Sequence, residues 1–391
     1  MTIPQVFTIN QPTRIRFGSG AIASLPELLR EAGGSRAFVV VDPGLVRAGI
    51  AERITAPLSQ AGIPFTVYSD IDPEPGLRLA DNGTELARAF GADCVVGAGG
   101  GSAMDVAKAV GILLTNGGRA EDYLGLGKIK KAGVPKIMVP TTAGTGAEVT
   151  FTAVFINERT GSKGGMNGDP LYPEAAVLDP ELTRSLPPQV TATTGIDAFV
   201  HALESYVSIQ AQPISEMYAR EAITLISRNL PVAYANGDNM TARSNMLMGS
   251  LLAGKALATA GVGLVHAMAY PLGGMFNVPH GLANAVLLPF VVDYNIIGAP
   301  EKFAAIAAMM GYSTRKLAPI PAGRVAIEAV FNLNAEVGIP GTLAELGIDR
   351  EAVPEMARIA LTVTRPVENN PRKPTIDDVI AIYEAAFEGY E

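Results

Sequence analysis

The stretch from Asp93 to Leu114 reads DCVVGAGGGSAMDVAKAVGILL, and it predicts a buried strand, a glycine turn and a helix in direct succession. Glycines let the backbone come close to a ligand, and the free N–H groups at the start of a helix favour an anion. The turn therefore suits the pyrophosphate of a dinucleotide, and its candidate contacts are Gly99, Gly100, Gly101 and Ser102. A tight turn that binds no ligand is the alternative interpretation.

On both sides of this stretch, short β-rich runs alternate with amphipathic segments. The predicted strands are Arg36–Asp42, Pro64–Asp70, Asp93–Gly97 and Lys136–Val139, with a further strand pair at Val149–Asn157 and Glu174–Leu178. The predicted helices are Gly44–Gln60, Leu77–Phe90 and Met104–Leu114. Strands separated by helices predict an α/β fold with a Rossmann-like, mostly parallel sheet that is covered on both faces.

The pattern changes at about Leu186, after which apolar residues recur at helical spacing. The predicted helices are Val190–Val207, Ser215–Asn229, Met240–Ala260, Phe303–Met310, Val325–Val337 and Ile376–Phe387. Thr194 and Thr375 are candidate helix-start residues. The sequence thus predicts an α/β domain over residues 1–185 and an all-helical domain over residues 186–391.

Composition restricts the kinds of partner. The chain of 391 residues has a formal net charge of −8 and no Lys/Arg-dense run, which argues against a nucleic-acid partner. The single cysteine, Cys94, cannot form an internal disulfide and favours a reducing compartment. No charged-then-apolar leader is visible, and the most apolar segment, Gly261–Val292, is interrupted by proline and glycine. We therefore expect a soluble cytoplasmic protein whose partners are small molecules and other copies of the chain, with no membrane association.

An acidic residue stands at the end of the first predicted strand. Asp42 can accept hydrogen bonds from both ribose hydroxyls of NAD, and its charge would repel the extra phosphate of NADP. In the common Rossmann fingerprint the acidic residue follows the glycines, whereas Asp42 precedes them. An ordinary turn residue before Pro43 is therefore an equally good interpretation of Asp42 alone.

Two more polar groups extend the candidate cofactor site. Thr141, Thr142 and Thr145 follow the Lys136–Val139 strand, and their hydroxyls suit phosphate and ribose contacts unless the loop is merely polar. Asp105 lies one helical turn before Lys108. It could meet the ligand, or it could form a surface pair with that lysine.

The chain has only three histidines, and all of them fall in one stretch of the C-terminal half: His201, His266 and His280. Asp197 precedes His201 by four residues on a predicted helix, so that both side chains project from one face. Imidazole nitrogens with one carboxylate are the ligands that Fe(II) and Zn(II) prefer. Four ligands from three segments predict a single metal site, and the alternative is three unrelated interior histidines.

With these residues the chain resembles the iron-containing, or group III, alcohol dehydrogenase family over nearly its whole length. The resemblance rests on Gly99–Ser102 with Asp105 and Lys108, Pro140–Gly146, Asp179–Thr183, Gly195–Ala202, Gly263–Met268, His280–Asn284 and Asn370–Arg372. It implies that Asp197 and the three histidines bind iron or zinc. It further implies that the candidate cofactor residues named above hold NAD(P), joined by Lys163, and that the protein forms a homodimer or larger homo-oligomer.

The resemblance also implies a reaction, with one departure near the metal. A hydride would pass between NAD(P) and a small alcohol or aldehyde, with the metal acting as a Lewis acid. Many family members carry a histidine four residues after the third metal ligand, where this chain has Tyr270. Because tyrosine titrates near pH 10 and histidine near 6.5, a proton relay through Tyr270 would use a neutral hydroxyl. The alternative is that Tyr270 only shapes the pocket wall.

Three other functions remain as alternatives. A sugar-phosphate cyclase of the dehydroquinate synthase type shares the architecture and uses NAD transiently, but it would need a cluster of basic residues that the sequence near the metal ligands lacks. A metal hydrolase would have a purely structural glycine turn. A cofactor-binding protein without turnover is the third. Net accumulation of NADH with simple alcohols separates a dehydrogenase from all of them.

Overall fold

The computed structural model describes residues 6–159 and 162–390. Within these residues the chain forms two compact units, and a boundary between them follows Ser185. One unit is Gln11–Ser185, and the other comprises residues 186–390 together with residues 6–10. Residues 6–10 thus group with the helical unit, which differs from the predicted first domain of residues 1–185.

The unit Gln11–Ser185 contains a six-stranded sheet and a three-stranded sheet. Its strands are β1 (Arg14–Phe17), β2 (Ala37–Val41), β3 (Phe65–Tyr68), β4 (Cys94–Gly99), β5 (Gly125–Leu126), β6 (Lys136–Pro140), β7 (Thr152–Asn157), β8 (Ser162–Asn167) and β9 (Ala175–Leu178). Its helices are α1 (Leu25–Glu31), α2 (Pro43–Arg47), α3 (Ile50–Gln60), α4 (Leu77–Phe90) and α5 (Gly101–Asn116).

The large sheet has the strand order β1-β9-β6-β4-β2-β3, and its neighbouring strands pair in parallel. Alternate side chains of its central strands enter two different cores: Val40 and Val95 lie in one, Val39 and Val96 in the other. Both faces of the sheet are buried, and this explains why its strands are nearly continuous apolar runs in the sequence. The predicted α/β class with a mostly parallel sheet is confirmed.

The second unit is built from helices, as predicted. They are α6 (Pro188–Val207), α7 (Pro213–Ala235), α8 (Met240–Ala260), α9 (Leu264–Phe276), α10 (His280–Asn295), α11 (Pro300–Met309), α12 (Pro319–Glu336), α13 (Val353–Thr362), α14 (Thr364–Asn369) and α15 (Ile376–Glu388). Thr375 caps α15 by accepting a hydrogen bond from the backbone N–H of Asp378, as its sequence position suggested. Thr194 instead lies inside α6, where its hydroxyl donates to the carbonyl of Val190.

Two predictions about the α/β unit were wrong in detail. The predicted helix Gly44–Gln60 is two helices, α2 and α3, because Gly49 adopts a left-handed φ of 68° that ends the first helix. The predicted strand pair Val149–Asn157 and Glu174–Leu178 does not exist as a pair. β7 pairs with β8 in the small sheet, and β9 joins the large one between β1 and β6.

A helical stretch of the second unit, His280–Gly298, is long and apolar enough to cross a membrane. In the structure 67% of this stretch is buried within the protein. That is the usual position of a core helix, whose apolar surface packs against its neighbours.

Candidate metal centre and cofactor site

Helix α6 presents three acidic or imidazole side chains on one face. Asp197, His201 and Glu204 are spaced by four and three residues, so they follow one another along the helix surface. All three are buried. The other two histidines, His266 and His280, lie against this face of α6.

The start of α9 brings His266 to this face. The helix begins directly after Gly263, where an added Cβ would lie 3.1 Å from Glu204 Oε1 and 3.2 Å from Asn370 Oδ1. The missing side chain therefore permits a close approach of α9 to α6. One turn into the helix, His266 Nδ1 lies 2.6 Å from Glu204 Oε2, and its Nε2 points towards Asp197 at 4.0 Å.

The start of α10 brings His280 to the same place. Pro279 precedes the helix, and a Cβ at Gly281 would lie 2.4 Å from the carbonyl oxygen of Thr193 in α6. Only glycine therefore allows this contact between the two backbones. His280 Nε2 lies 3.8 Å from Asp197 Oδ1, and its side chain is 28% exposed. The apolar segment Gly261–Val292, in which the sequence showed interruptions by proline and glycine, thus contains the two helices α9 and α10.

The four predicted metal ligands therefore lie together in the described residues. One ligand atom each of Asp197, His201 and His266 falls within a mutual distance of 4.8 Å. The ring centroid of His266 lies 4.8 Å from that of His201 and 5.3 Å from that of His280. Burial raises the pKa of Asp197, but electrostatic attraction by His201, His280 and His266, with the hydrogen bond from Asn284, outweighs burial and holds this pKa below its usual value.

These residues fit a divalent metal ion of the iron or zinc kind. Three imidazoles and one carboxylate are the donor set that such ions take. Asn284, from α10, donates through Nδ2 to Asp197 Oδ1 at 2.8 Å, and the same nitrogen lies 3.4 Å from His266 Nε2. Its Oδ1 atom is buried and has no hydrogen-bond partner among the described residues. An unsatisfied polar atom beside convergent ligand atoms is typical of a site that binds an ion or a polar molecule.

Tyr270 lies one helical turn beyond His266 on α9. Its ring centroid is 6.2 Å from that of His280. The side chain is half-buried, so the ring stands beside the group of ligands without being part of the tightly packed core. This position is compatible both with a proton relay and with a pocket wall.

In the α/β unit, the glycine turn is surrounded by most of the predicted cofactor residues. A Cβ at Gly99, whose φ is 147°, would lie 2.9 Å from Asp42 Cβ. A Cβ at Gly100 would lie 3.7 Å from Thr142, and one at Gly101 would lie 3.0 Å from Thr145. The absence of side chains thus leaves room beside one acid and two threonines. Asp42 Oδ1 also accepts from the N–H of Gly44 at 2.6 Å and caps α2.

The other predicted cofactor residues differ in their surroundings. Thr141 is 2% exposed and its N–H donates to the carbonyl of Gly99, so it supports the turn from behind. Ser102 donates its hydroxyl to the carbonyl of Pro73 at 2.5 Å. Lys163 lies on β8, and its Nζ forms an ion pair with Glu74 Oε2 at 2.7 Å. The loop at Pro73 and Glu74 thus contacts both the glycine turn and β8, and the sequence did not indicate these contacts.

Asp105 and Lys108 form a pair, but the pair is buried, so the alternative of a surface pair is wrong. Lys108 is 0% exposed, lies 3.8 Å from Asp105, and donates to the carbonyl of Thr152 at 2.8 Å. Asp105 accepts from the N–H of Val154 at 2.9 Å. Both residues therefore hold α5 against β7. Burial raises the pKa of Asp105 to about 6 and lowers the pKa of Lys108 to about 8, and each residue's charge opposes the other's shift.

Sequence reasoning missed two residues at the metal ligands. Glu204 follows His201 by three residues, so helical spacing placed it on the ligand face, but one more acid on a helix carries little information. Asn284 belongs to a quoted motif, and no role was assigned to it. Both roles depend on contacts between helices that are distant in sequence.

Comparison with known proteins agrees with this arrangement. A family model described as iron-containing alcohol dehydrogenase matches residues 12–180. A second, described as the C-terminal part of the Fe-containing alcohol dehydrogenase family, matches residues 191–387. The two matches fall in the two structural units.

Individual relatives match over nearly their full length. Long-chain-alcohol dehydrogenase 1 of Geobacillus thermodenitrificans is 42% identical over 381 residues, which are 97% of this chain and 96% of that protein. A crystal structure of 1,3-propanediol oxidoreductase is 39% identical, with a TM-score of 0.96 over 98% of this chain and 100% of that one. Sulfoacetaldehyde reductase from Bifidobacterium kashiwanohense, solved in complex with NAD+, is 31% identical, with a TM-score of 0.88 over 98% and 99% of the two chains. The chain belongs to the iron-containing alcohol dehydrogenase family and is an oxidoreductase that interconverts alcohols and aldehydes.

Proposed function

We propose that this enzyme binds a divalent metal ion, iron in the first place and zinc as the alternative, through Asp197, His201, His266 and His280. The observation that carries the proposal is the convergence of these side chains from three helices, with ligand atoms of three of them within 4.8 Å of one another. His280, at 3.8 Å from Asp197, completes the set. Four protein ligands of this kind hold an ion firmly at neutral pH.

We further propose that the α/β unit binds NAD at the glycine turn. Gly99, Gly100 and Gly101 would face the pyrophosphate, with Ser102, Thr142 and Thr145 at the edge of the turn. Asp42 would accept hydrogen bonds from the ribose hydroxyls, which favours NAD over NADP. Lys163 would approach the cofactor from β8. The remaining two predicted contacts, Thr141 and Asp105, are buried behind the turn and would act by holding it in place.

The residues of this chain then have separate tasks in the reaction. A bound metal would supply Lewis acidity towards the hydroxyl or carbonyl oxygen of the substrate, and a bound NAD would supply the acceptor or donor of the hydride. Asp197 offsets part of the metal's charge, and Asn284 keeps the Asp197 carboxylate oriented by its hydrogen bond of 2.8 Å. The three histidines act as neutral ligands.

The proposed activity is tested by following the absorbance of reduced nicotinamide. Metal-free protein is prepared with a chelator and reconstituted with Fe(II) without oxygen, or with Zn(II). Each form is mixed with NAD and a panel that includes a long-chain alcohol and 1,3-propanediol, and with NADH and sulfoacetaldehyde for the reverse direction. Net cofactor turnover only in the metal-loaded forms is expected. A cyclase would regenerate its NAD, and a hydrolase would leave it unchanged, so neither would accumulate NADH.

We also propose that Tyr270 passes protons between the substrate and water through its neutral hydroxyl. In Tyr270→His, the pH–rate profile of kcat should gain a titration near pH 6.5, because an imidazole ordinarily titrates there and a phenol hydroxyl does not. The measurement is kcat from pH 5.5 to 9.5 for both proteins. If the two profiles have the same shape, Tyr270 only shapes the pocket wall.

Location and assembly are proposals as well. We infer a cytoplasmic enzyme, which is supported by a single buried cysteine whose pKa is raised to about 12 by burial and which therefore does not react as a thiolate. We infer a homodimer or larger homo-oligomer, which is supported by the exposed apolar side chains of Val6, Phe7 and Ile9 near the N-terminus. Light scattering of the purified full chain measures the assembly directly.

A further inference from the structure

Glu204 contacts a proposed metal ligand without being in a position to bind the metal itself. Its Oε2 atom lies 2.6 Å from His266 Nδ1, the ring nitrogen that points away from Asp197. Its Oε1 atom accepts a hydrogen bond of 2.6 Å from the backbone N–H of Val265. Glu204 and His266 are 3% and 4% exposed, so this contact is shielded from water.

The contact determines which nitrogen of His266 carries the proton. An ionised carboxylate only accepts hydrogen bonds, and the N–H of Val265 already occupies Oε1. The proton of a neutral His266 ring therefore lies on Nδ1, facing Oε2. The lone pair then lies on Nε2, directed towards Asp197, and the Asn284 amide nitrogen, a donor, lies 3.4 Å from it. A metal ion binds a histidine through such a lone pair.

The charge balance of the proposed metal site also points to Glu204. Among the proposed ligands only Asp197 carries a negative charge, which leaves one positive charge of a divalent ion uncompensated in a buried place. Glu204 lies on the same face of α6 and contributes a second negative charge. The ion, Asp197 and Glu204 together are neutral.

We propose that Glu204 is a positioning residue that fixes His266 in the Nδ1-protonated tautomer and so prepares the site for a divalent cation. The proposal rests on the metal site proposed above. It assigns no direct contact between Glu204 and substrate or cofactor.

Glu204→Gln separates this role from a purely structural one. Glutamine has nearly the same shape, but only one of its two terminal atoms accepts hydrogen bonds. If that atom accepts from Val265, the amide N–H₂ faces His266 Nδ1 and the ring proton moves to Nε2. The contacts of residue 204 with the N–H of Val265 and with His266 Nδ1 remain satisfied in the metal-free protein, while the lone pair that the metal needs is removed.

Because the chain has only three histidines, the NMR signals of each imidazole ring can be distinguished and its tautomer observed directly. Long-range ¹H–¹⁵N correlation spectra of the full chain, metal-free and loaded with Zn(II), distinguish protonated Nδ1 from protonated Nε2 in each ring. We expect protonated Nδ1 for His266 in the parent and protonated Nε2 in metal-free Glu204→Gln. Competition with a chromophoric chelator should show a Zn(II) dissociation constant about 10- to 100-fold higher in the variant, with the melting temperature of the metal-free protein unchanged or raised.

The controls separate failure of this proposal from failure of the metal site. Glu148→Gln, which also removes a carboxylate that is 1% exposed but lies in the other unit, should leave Zn(II) affinity and tautomers as in the parent. If His266→Ala weakens Zn(II) binding and Glu204→Gln does not, the role of Glu204 is refuted and the metal site stands. If His266→Ala has no effect, the metal site itself is refuted. A parent His266 ring that is protonated on Nε2 and not on Nδ1 would overturn the proposal even if Glu204→Gln did not fold.

Discussion

Replacing His266 by alanine is expected to remove both the metal and the turnover. The His266 ring contacts the rings of both His201 and His280, so its loss removes one of the four proposed donors and leaves a cavity beside the other two imidazoles. Lewis-acid catalysis by a bound ion is worth several kcal/mol, and each 1.36 kcal/mol is a factor of ten in rate. We therefore expect kcat to fall by about 10³-fold or more, measured as NADH formation, with the metal content measured by mass spectrometry.

A matched control distinguishes loss of the metal from damage to the fold. Met268→Ala creates a cavity two residues further along α9, where the side chain is fully buried, and should cost about 2 to 5 kcal/mol of stability without releasing the metal. NAD affinity, measured by fluorescence quenching, should be unchanged in His266→Ala because the proposed NAD contacts belong to the other unit. Full activity in metal-free His266→Ala protein would refute the metal assignment.

Asp42→Asn is expected to change the choice of cofactor. Asparagine retains the oxygen that accepts from Gly44 and caps α2, but it removes the charge beside Gly99. Repulsion between a half-buried carboxylate and the extra phosphate of NADP is worth about 1 to 3 kcal/mol. The ratio of kcat/KM for NADP to that for NAD should therefore rise about tenfold to a hundredfold.

Asp349→Asn is the matched control for this substitution. Asp349 Oδ1 accepts from the N–H of Glu351 at 2.9 Å, the same cap geometry as at Asp42, but it lies in the helical unit. Both kcat/KM values should stay as in the parent. An unchanged ratio in Asp42→Asn would mean that Asp42 serves only as a helix cap, the interpretation that its position before Pro43 also allowed.

The fold class could be predicted from the apolar patterns of individual segments. The strands and helices that were not predicted lie where those patterns are weak. Central strands such as β2 and β4 are buried on both faces, so their apolar runs are visible in the sequence. β8 has the sequence Ser-Lys-Gly-Gly-Met-Asn, which lacks β-branched and aromatic residues, and its strand conformation depends on pairing with β7. Likewise, α9 was not predicted because it contains Pro271, and proline is unfavourable inside a helix. The helix is maintained by packing.

The four candidate metal ligands could be singled out from the sequence because their chemistry is rare in this chain. The chain has only three histidines, and one of them follows an aspartate at helical spacing. These residues could therefore be assigned to one site from the sequence alone. Buried acids are different, since Glu204 is one of 38 acidic residues and nothing in its immediate sequence marks it. Its contact with His266 spans 62 positions along the chain.

The order of residues alone was therefore sufficient to identify the sheet-and-helix architecture, the glycine turn and the four candidate metal ligands. The side chains that orient those ligands, Glu204 and Asn284, became identifiable when α9 and α10 were seen to pack against α6 through Gly263 and Gly281. Helical periodicity and ligand chemistry are properties of short segments. The protonated nitrogen of an imidazole is instead determined by whichever group lies within hydrogen-bonding distance, and folding brings that group from elsewhere in the chain.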